Sequence, residues 1–113
     1  MKLTDKITKH LMSWCNSGND IVLPNFYVGI YECDVLRITR ADVAYEYEIK
    51  ISRADFFADF KKCFGSVKKH DRIANGERIN RFYFVVPEDM VTKEEVPAHC
   101  GLVYFHAKKN SMG

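Results

Sequence analysis

The sequence predicts a small mixed α/β (α+β) domain, a central mixed sheet with helices on both faces. Three observations carry this. Apolar residues recur at helical spacing in two separate stretches, residues 3–16 and 52–64. Extended runs rich in β-branched and aromatic residues lie at 26–38, 43–51, 81–86 and 100–105. The second helical stretch separates two of those runs, so the strands it joins are parallel, while the short turn at 39–42 joins an antiparallel pair. At 113 residues, 47% of them hydrophobic, the chain is one domain with material for a real core.

The first helix is expected over residues 3–16. Thr4 is its cap, Asp5 lies in its first turn, and Leu3, Ile7, Leu11, Trp14 and Cys15 form its apolar face. Asn16 to Asp20 is a turn, and Ile21–Asn25 is a short apolar segment broken by Pro24. Phe26–Ile38 reads as extended, with a bulge or bend at Gly29. Thr39–Asp42 turns the chain into the strand Val43–Ile51. Ser52 and Asp55 open the next helix as a capping box, its core stripe being Phe56, Phe57, Phe60 and Phe64 and its end near Gly65. Residues 65–80 read as a polar loop with a helical turn near Lys68–Ile73. Arg81–Val86 is a buried strand stopped by Pro87, Glu88–Val96 holds a helical turn, and Cys100–Phe105 is the last strand. The polar residues from His106 onward are expected to fray. The first helix covers the sheet face opposite the second.

Composition excludes some functions. No run of 18 apolar residues occurs, so no membrane span is expected, and with no apolar core after Met1–Lys6 no signal peptide is expected either. Cytoplasmic residence is the expectation. Cys15, Cys33, Cys63 and Cys100 form no C-x-x-C pair and read as free thiols.

The chemistry centres on Glu48-Ile49-Lys50 at the end of the 43–51 strand. Alternation puts Glu46, Glu48 and Lys50 on one face and Tyr45, Tyr47, Ile49 and Ile51 on the other. If the preceding strand pairs as a hairpin, Asp34 lies beside Glu48. Two carboxylates and an ammonium then converge. Asp34, Glu48 and the Ile49 carbonyl offer the oxygen ligands Mg²⁺ (or Mn²⁺) requires. Lys50 can hold a water or a scissile phosphate and offset transition-state charge. Glu32 and Glu46 can extend the acidic cluster, and Ser52 and Asp55 can support it from the helix start.

Asp34 followed by Glu48-Ile49-Lys50 resembles the PD-(D/E)xK motif of the restriction-endonuclease-like superfamily. The run from Glu48 to Lys62, with Lys69-His70, Arg81–Pro87, Val96-Pro97 and Gly101–Val103, is similar to its small MmcB-like bacterial and phage branch, over roughly residues 28–105. The resemblance implies an αβββαβ core plus a final strand, and metal-dependent cleavage of DNA phosphodiesters. It makes Asp34 and Glu48 the metal acids and Lys50 the catalytic lysine. Cys33 replaces the motif's proline, and Asp5 is the acid the first helix offers.

Residues 61–82 add a basic segment, with Lys61, Lys62, Lys68, Lys69, Arg72, Arg78 and Arg81 against Asp71 and Glu77, a local balance of +5 in a chain of +2. Beside a phosphate-cutting site, this segment with His70 reads as a DNA backbone track. The expected activity is that of a Mg²⁺-dependent endodeoxyribonuclease in DNA repair, recombination or phage DNA processing. The alternative is a catalytically inactive nucleic-acid-binding module of the same fold. A homodimer presenting two sites is the expected assembly, by analogy of fold.

Overall fold

A computed structural model describes residues 1–16, 18–28, 31–64, 67–75 and 81–113. Expectations placed on Gly29, Gly65, Glu77, Arg78 and Asn80 fall outside the described residues, as does the side chain of Phe64.

Helix α1 (Leu3–Cys15) buries Ile7, Leu11 and Cys15, one residue per turn. Its N-cap is Lys2, without a side-chain cap. Thr4 therefore lies inside the helix, where its carbonyl accepts the Thr8 hydroxyl at 2.8 Å. Trp14, expected on the core face, is 49% exposed. It sits at the margin of the buried stripe and lines a shallow surface cavity with His10 and Met112.

Strands β1 (Ile21–Tyr27) and β2 (Glu32–Ile38) pair antiparallel from Ile21↔Ile38 to Tyr27↔Glu32. The expected single extended run from Phe26 is thus two strands. Pro24 does not break β1, because β1 is the edge of the sheet and has a side with no ladder to supply. The Thr39–Val43 turn, with Asp42 at φ 60°, leads into β3 (Ala44–Ile49), antiparallel to β2.

Helix α2 (Arg53–Asp59) begins at the expected Ser52 cap, whose hydroxyl accepts the Asp55 N–H at 3.1 Å. It ends at Asp59 rather than near Gly65. The N–H groups of Phe60, Lys61 and Lys62 bond carbonyls three residues back, which tightens and closes the helix. The chain then forms a two-stranded ribbon, β4 (Cys63–Phe64) with β5 (Val67–Lys68), and a short helix α3 (Lys69–Ala74).

Strand β6 (Arg81–Pro87) lies parallel to β3, and β7 (Gly101–His106) parallel to β6, with a 3-10 turn at Lys93–Glu95 between them. The residues after His106 are not a frayed tail. They return as β8 (Ser111–Met112), and Gly113 and Tyr104 exchange backbone hydrogen bonds of 2.8 and 3.0 Å.

The six-stranded mixed sheet runs β1-β2-β3-β6-β7-β8. On one face Ile7, Leu11 and Cys15 of α1 pack on Val35, Tyr47, Ile49, Val85, Val103 and Phe105. On the other, Phe56 of α2 and Ile73 of α3 pack with Tyr31, Phe82, Phe84, Val86 and Val91. Phe56 is fully buried, while Phe57, one position round the helix, is 41% exposed against the expectation of core. No helix among the described residues is long and apolar enough to cross a membrane.

Candidate functional site: a buried ionic cluster beneath the second helix

The alternation of β3 decides what meets on each face. Tyr47 and Ile49 enter the α1 core, while Glu46, Glu48 and Lys50 point toward α2 and are buried, at 0%, 5% and 9% exposure. Extending the Val35↔Tyr47 register by one pair puts Asp34 opposite Glu48, on the same face. The Asp34 carboxylate accepts the Ile49 N–H at 2.7 Å. In a strand the N–H and C=O of one residue leave the same edge, so the Ile49 carbonyl also faces the Asp34 side. The expected residues therefore converge.

The centre of the cluster is a residue the sequence reading did not assign to the site. Asp59 is fully buried. Its Oδ1 lies 3.0 Å from Lys50 Nζ, 3.1 Å from Lys62 Nζ and 3.1 Å from Lys69 Nζ. Its Oδ2 lies 2.6 Å from His70 Nε2. Glu48 Oε1 shares two of these ammonium groups, Lys50 at 3.4 Å and Lys69 at 3.6 Å. Glu46 accepts the Tyr31 hydroxyl at 2.8 Å, and Lys69 Nζ also stands over the Tyr31 ring, 4.7 Å from its centre. Asp59 was legible in principle: it follows Phe56 by three positions, so a helix that buries Phe56 turns Asp59 to the same face.

Lys69 and His70, assigned to a surface DNA track, are buried at 1% and 5% exposure and belong to this cluster instead. Asp59 and Glu48 make that burial tolerable by supplying counter-charge. Lys61, Lys62 and Lys68 are exposed and Arg72 is half-buried, while Arg81, exposed at the start of β6, shares the α1 face with Tyr83 and Val85 and so lies across the sheet from the cluster, against the expectation. Glu32 is exposed, and Asp55 is exposed beside the Ser52 cap.

Burial raises the Asp34 and Glu48 carboxyls above their ordinary values, with nearby lysines only partly offsetting it. Burial likewise pushes Glu46 up to about 7. Asp59 goes the other way: burial would raise it, but the His70 hydrogen bond and the Lys69 and Lys50 charges hold it far below the usual carboxylate range. Burial would lower Lys50, yet Asp59 and Glu48 outweigh it and keep the ammonium protonated. Lys50 thus stands as a charged hydrogen-bond donor.

Two buried carboxylate oxygens, Glu46 Oε1 and Glu48 Oε2, have no hydrogen-bond partner among the described residues. A buried unpaired carboxylate oxygen is costly. With the unpartnered Glu48 Oε2, Asp34 on the neighbouring strand and the Ile49 carbonyl offer oxygen donors of the kind a hard divalent cation takes, so the residues fit Mg²⁺ or Mn²⁺.

No family model matches this chain, and no curated protein matches it. Among solved structures, the SPO1766 protein of unknown function from Silicibacter pomeroyi is similar in fold, with a TM-score of 0.73 at 18% identity over 100% of this chain and 69% of that one. At that identity the likeness is one of fold alone.

Proposed function

We propose that the chain is a metal-dependent DNA endonuclease of the PD-(D/E)xK type, hydrolysing phosphodiester bonds in DNA repair, recombination or phage DNA processing. The supporting observation is the convergence of Asp34, Glu48 and Lys50 at the end of β3, with Glu48 Oε2 buried and unpartnered. Asp34, Glu48 and the Ile49 carbonyl would hold Mg²⁺ or Mn²⁺. When bound, such an ion polarises a phosphoryl oxygen and lowers the pKa of a coordinated water. Lys50, kept protonated by Asp59, orients the attacking water or the scissile phosphate and offsets the negative charge that develops. Asp59 fixes the Lys50 ammonium at 3.0 Å, and the Ser52 cap fixes the start of the helix that carries Asp59. Lys62, which reaches Asp59, with Lys61, Lys68 and Arg72 of the same segment, would be groups for backbone phosphates, which position a duplex without reading its sequence. Two copies of the chain would present one site to each strand.

One observation favours a second reading. Lys50 Nζ is already engaged by Asp59 at 3.0 Å and Glu48 at 3.4 Å, an arrangement that also suits a catalytically inactive nucleic-acid-binding module. Supercoiled plasmid with Mg²⁺ or Mn²⁺ separates the two. The nuclease nicks or linearises it, and Lys50→Ala, folded by circular dichroism, does not. Cleavage retained in Lys50→Ala refutes the role given to Lys50. A wild-type protein that shifts DNA in a salt-dependent manner without cutting it supports the binding module.

A further inference from the structure

Opposite the lysines, the ionic cluster ends in a second group of donors. His70, in the first turn of α3, meets His99 and Cys100, which precede β7 in a turn closed by Cys100 N–H to the Pro97 carbonyl at 2.9 Å. His70 Nδ1 lies 3.0 Å from His99 Nε2 and 3.9 Å from Cys100 Sγ, and all three donor atoms lie within 4.8 Å of one another.

We propose that His70, His99 and Cys100 bind a divalent transition cation of the Zn²⁺ class. Zn–N bonds of about 2.0 Å and Zn–S bonds of about 2.3 Å in a tetrahedron place two nitrogens ~3.3 Å apart and a nitrogen and a sulfur ~3.6 Å apart. The observed 3.0 and 3.9 Å fall on either side of those spacings, so small side-chain rotations seat the ion.

Asp59 supplies the second argument. Its Oδ2 holds the proton of His70 on Nε2, at 2.6 Å. With its Nε2–H held there, a metal-bound His70 would turn its Nδ1 lone pair to the ion, the carboxylate–histidine arrangement that orients and strengthens metal-bound imidazoles. His70 is also fixed by packing on Phe60, Phe82 and Phe84. Without an ion, His70 Nδ1 and His99 Nε2 share one proton across 3.0 Å. Binding displaces that proton, and the Cys100 thiol releases its own to solvent.

Imidazoles and a thiolate discriminate against Mg²⁺, so this site and the oxygen set at Asp34 and Glu48 select different ions. His99 and Cys100 line a surface cavity of about 330 Å³ with Phe82, Tyr83 and Gly101, which gives an ion a route in. Three protein donors leave a fourth position for water. The inference goes beyond the nuclease reading and stands or falls without DNA cleavage.

The test is Co²⁺ titration of the metal-free full chain in excess Mg²⁺, followed by absorption. The expected result is one equivalent bound, with the visible bands of a tetrahedral ion and a near-ultraviolet thiolate charge-transfer band. Cys100→Ser loses the charge-transfer band and Cys63→Ser keeps it. Asp59→Asn, in which a positioning residue is changed, weakens Co²⁺ binding by about 10–100-fold, and His99→Ala weakens it further. Lack of saturable tetrahedral binding by the wild type overturns the proposal, as does a charge-transfer band that survives Cys100→Ser or vanishes in Cys63→Ser. Should Cys100→Ser not fold, the half-buried His99 decides: unchanged affinity in His99→Ala overturns the site.

Discussion

Replacing Asp59 by Asn leaves the shape of the buried cluster almost unchanged and removes its central charge. Three ammonium groups lose their common counter-ion, at 3.0 Å from Lys50, 3.1 Å from Lys62 and 3.1 Å from Lys69. Lys62 is 47% exposed and returns to water at little cost. The side chains of Lys50 and Lys69 are only 10% and 1% exposed, so they are left to share Glu48 Oε1 at 3.4 and 3.6 Å. Breaking a buried ion pair by removing one partner costs about 3–5 kcal/mol, and the remaining Glu48 contact places this case near ~3. That is a large part of the about 5–15 kcal/mol available to a domain. Urea unfolding followed by far-ultraviolet circular dichroism measures it. Because the Asp59 carboxyl is depressed in the fold, its contribution is fully present above the unfolded value of ~3.9 and is lost as pH falls further. The stability gap between wild type and Asp59→Asn therefore narrows below about pH 4, by at most ~1.4 kcal/mol per pH unit. A gap under ~1 kcal/mol at neutral pH, or one that widens on acidification, refutes the central position given to Asp59.

Two further outcomes follow from the same geometry. Glu46 is raised by burial to about 7 from 4.5, so the folded protein holds this proton over that window and wild-type stability falls as pH rises through it. Relative to wild type, Glu46→Gln should gain about 3 kcal/mol between the acid and neutral ends of that window, and parallel unfolding curves would exclude a raised Glu46. At Gly101, an added Cβ would lie 2.2 Å from two ring atoms of Tyr83, a ring stacked on Tyr45 and Tyr47. Gly101→Ala should cost about 1–3 kcal/mol by thermal or urea unfolding, and a neutral result would mean the tyrosine stack moves freely.

The sequence made the strand faces legible and hid the depth at which they lie. Alternation along β3 separated Glu46, Glu48 and Lys50 from Tyr47 and Ile49, and the short turn at residues 39–42 set the register that brings Asp34 to Glu48. Both are local properties. The burial of Lys69 and His70 is not: in sequence they sit in a basic run, and a fully buried Asp59 ten and eleven residues upstream, with Glu48 beside Lys69, makes their position tolerable. The four phenylalanines from 56 to 64 drew attention to themselves, while the buried face of α2 is set by Phe56 and Asp59. Strand β8 is two residues long, too short for any periodicity, and follows from pairing with β7 rather than from its own composition.

A buried network of this kind demands a reason other than stability. Well-packed apolar side chains in place of buried ion pairs are often neutral or stabilising, by about 1–4 kcal/mol. This cluster moreover leaves Glu46 Oε1 and Glu48 Oε2 without partners among the described residues, so it is not arranged to satisfy itself. It is also graded. At one end Glu46 is closed off beneath Tyr31, while at the other Asp34 is only partly buried and Lys62 reaches solvent, which is where a cation or a phosphate can enter. Asp59 ties the whole together through both of its oxygens. Oδ1 holds Lys50, Lys62 and Lys69, and Oδ2 holds His70 at 2.6 Å and Lys69 again at 3.2 Å. Any ligand that fixes the His70 ring therefore also fixes the carboxylate that positions Lys50. A cation at His70, His99 and Cys100 would brace the lysine proposed to act on phosphate, through one side chain and without contact with DNA.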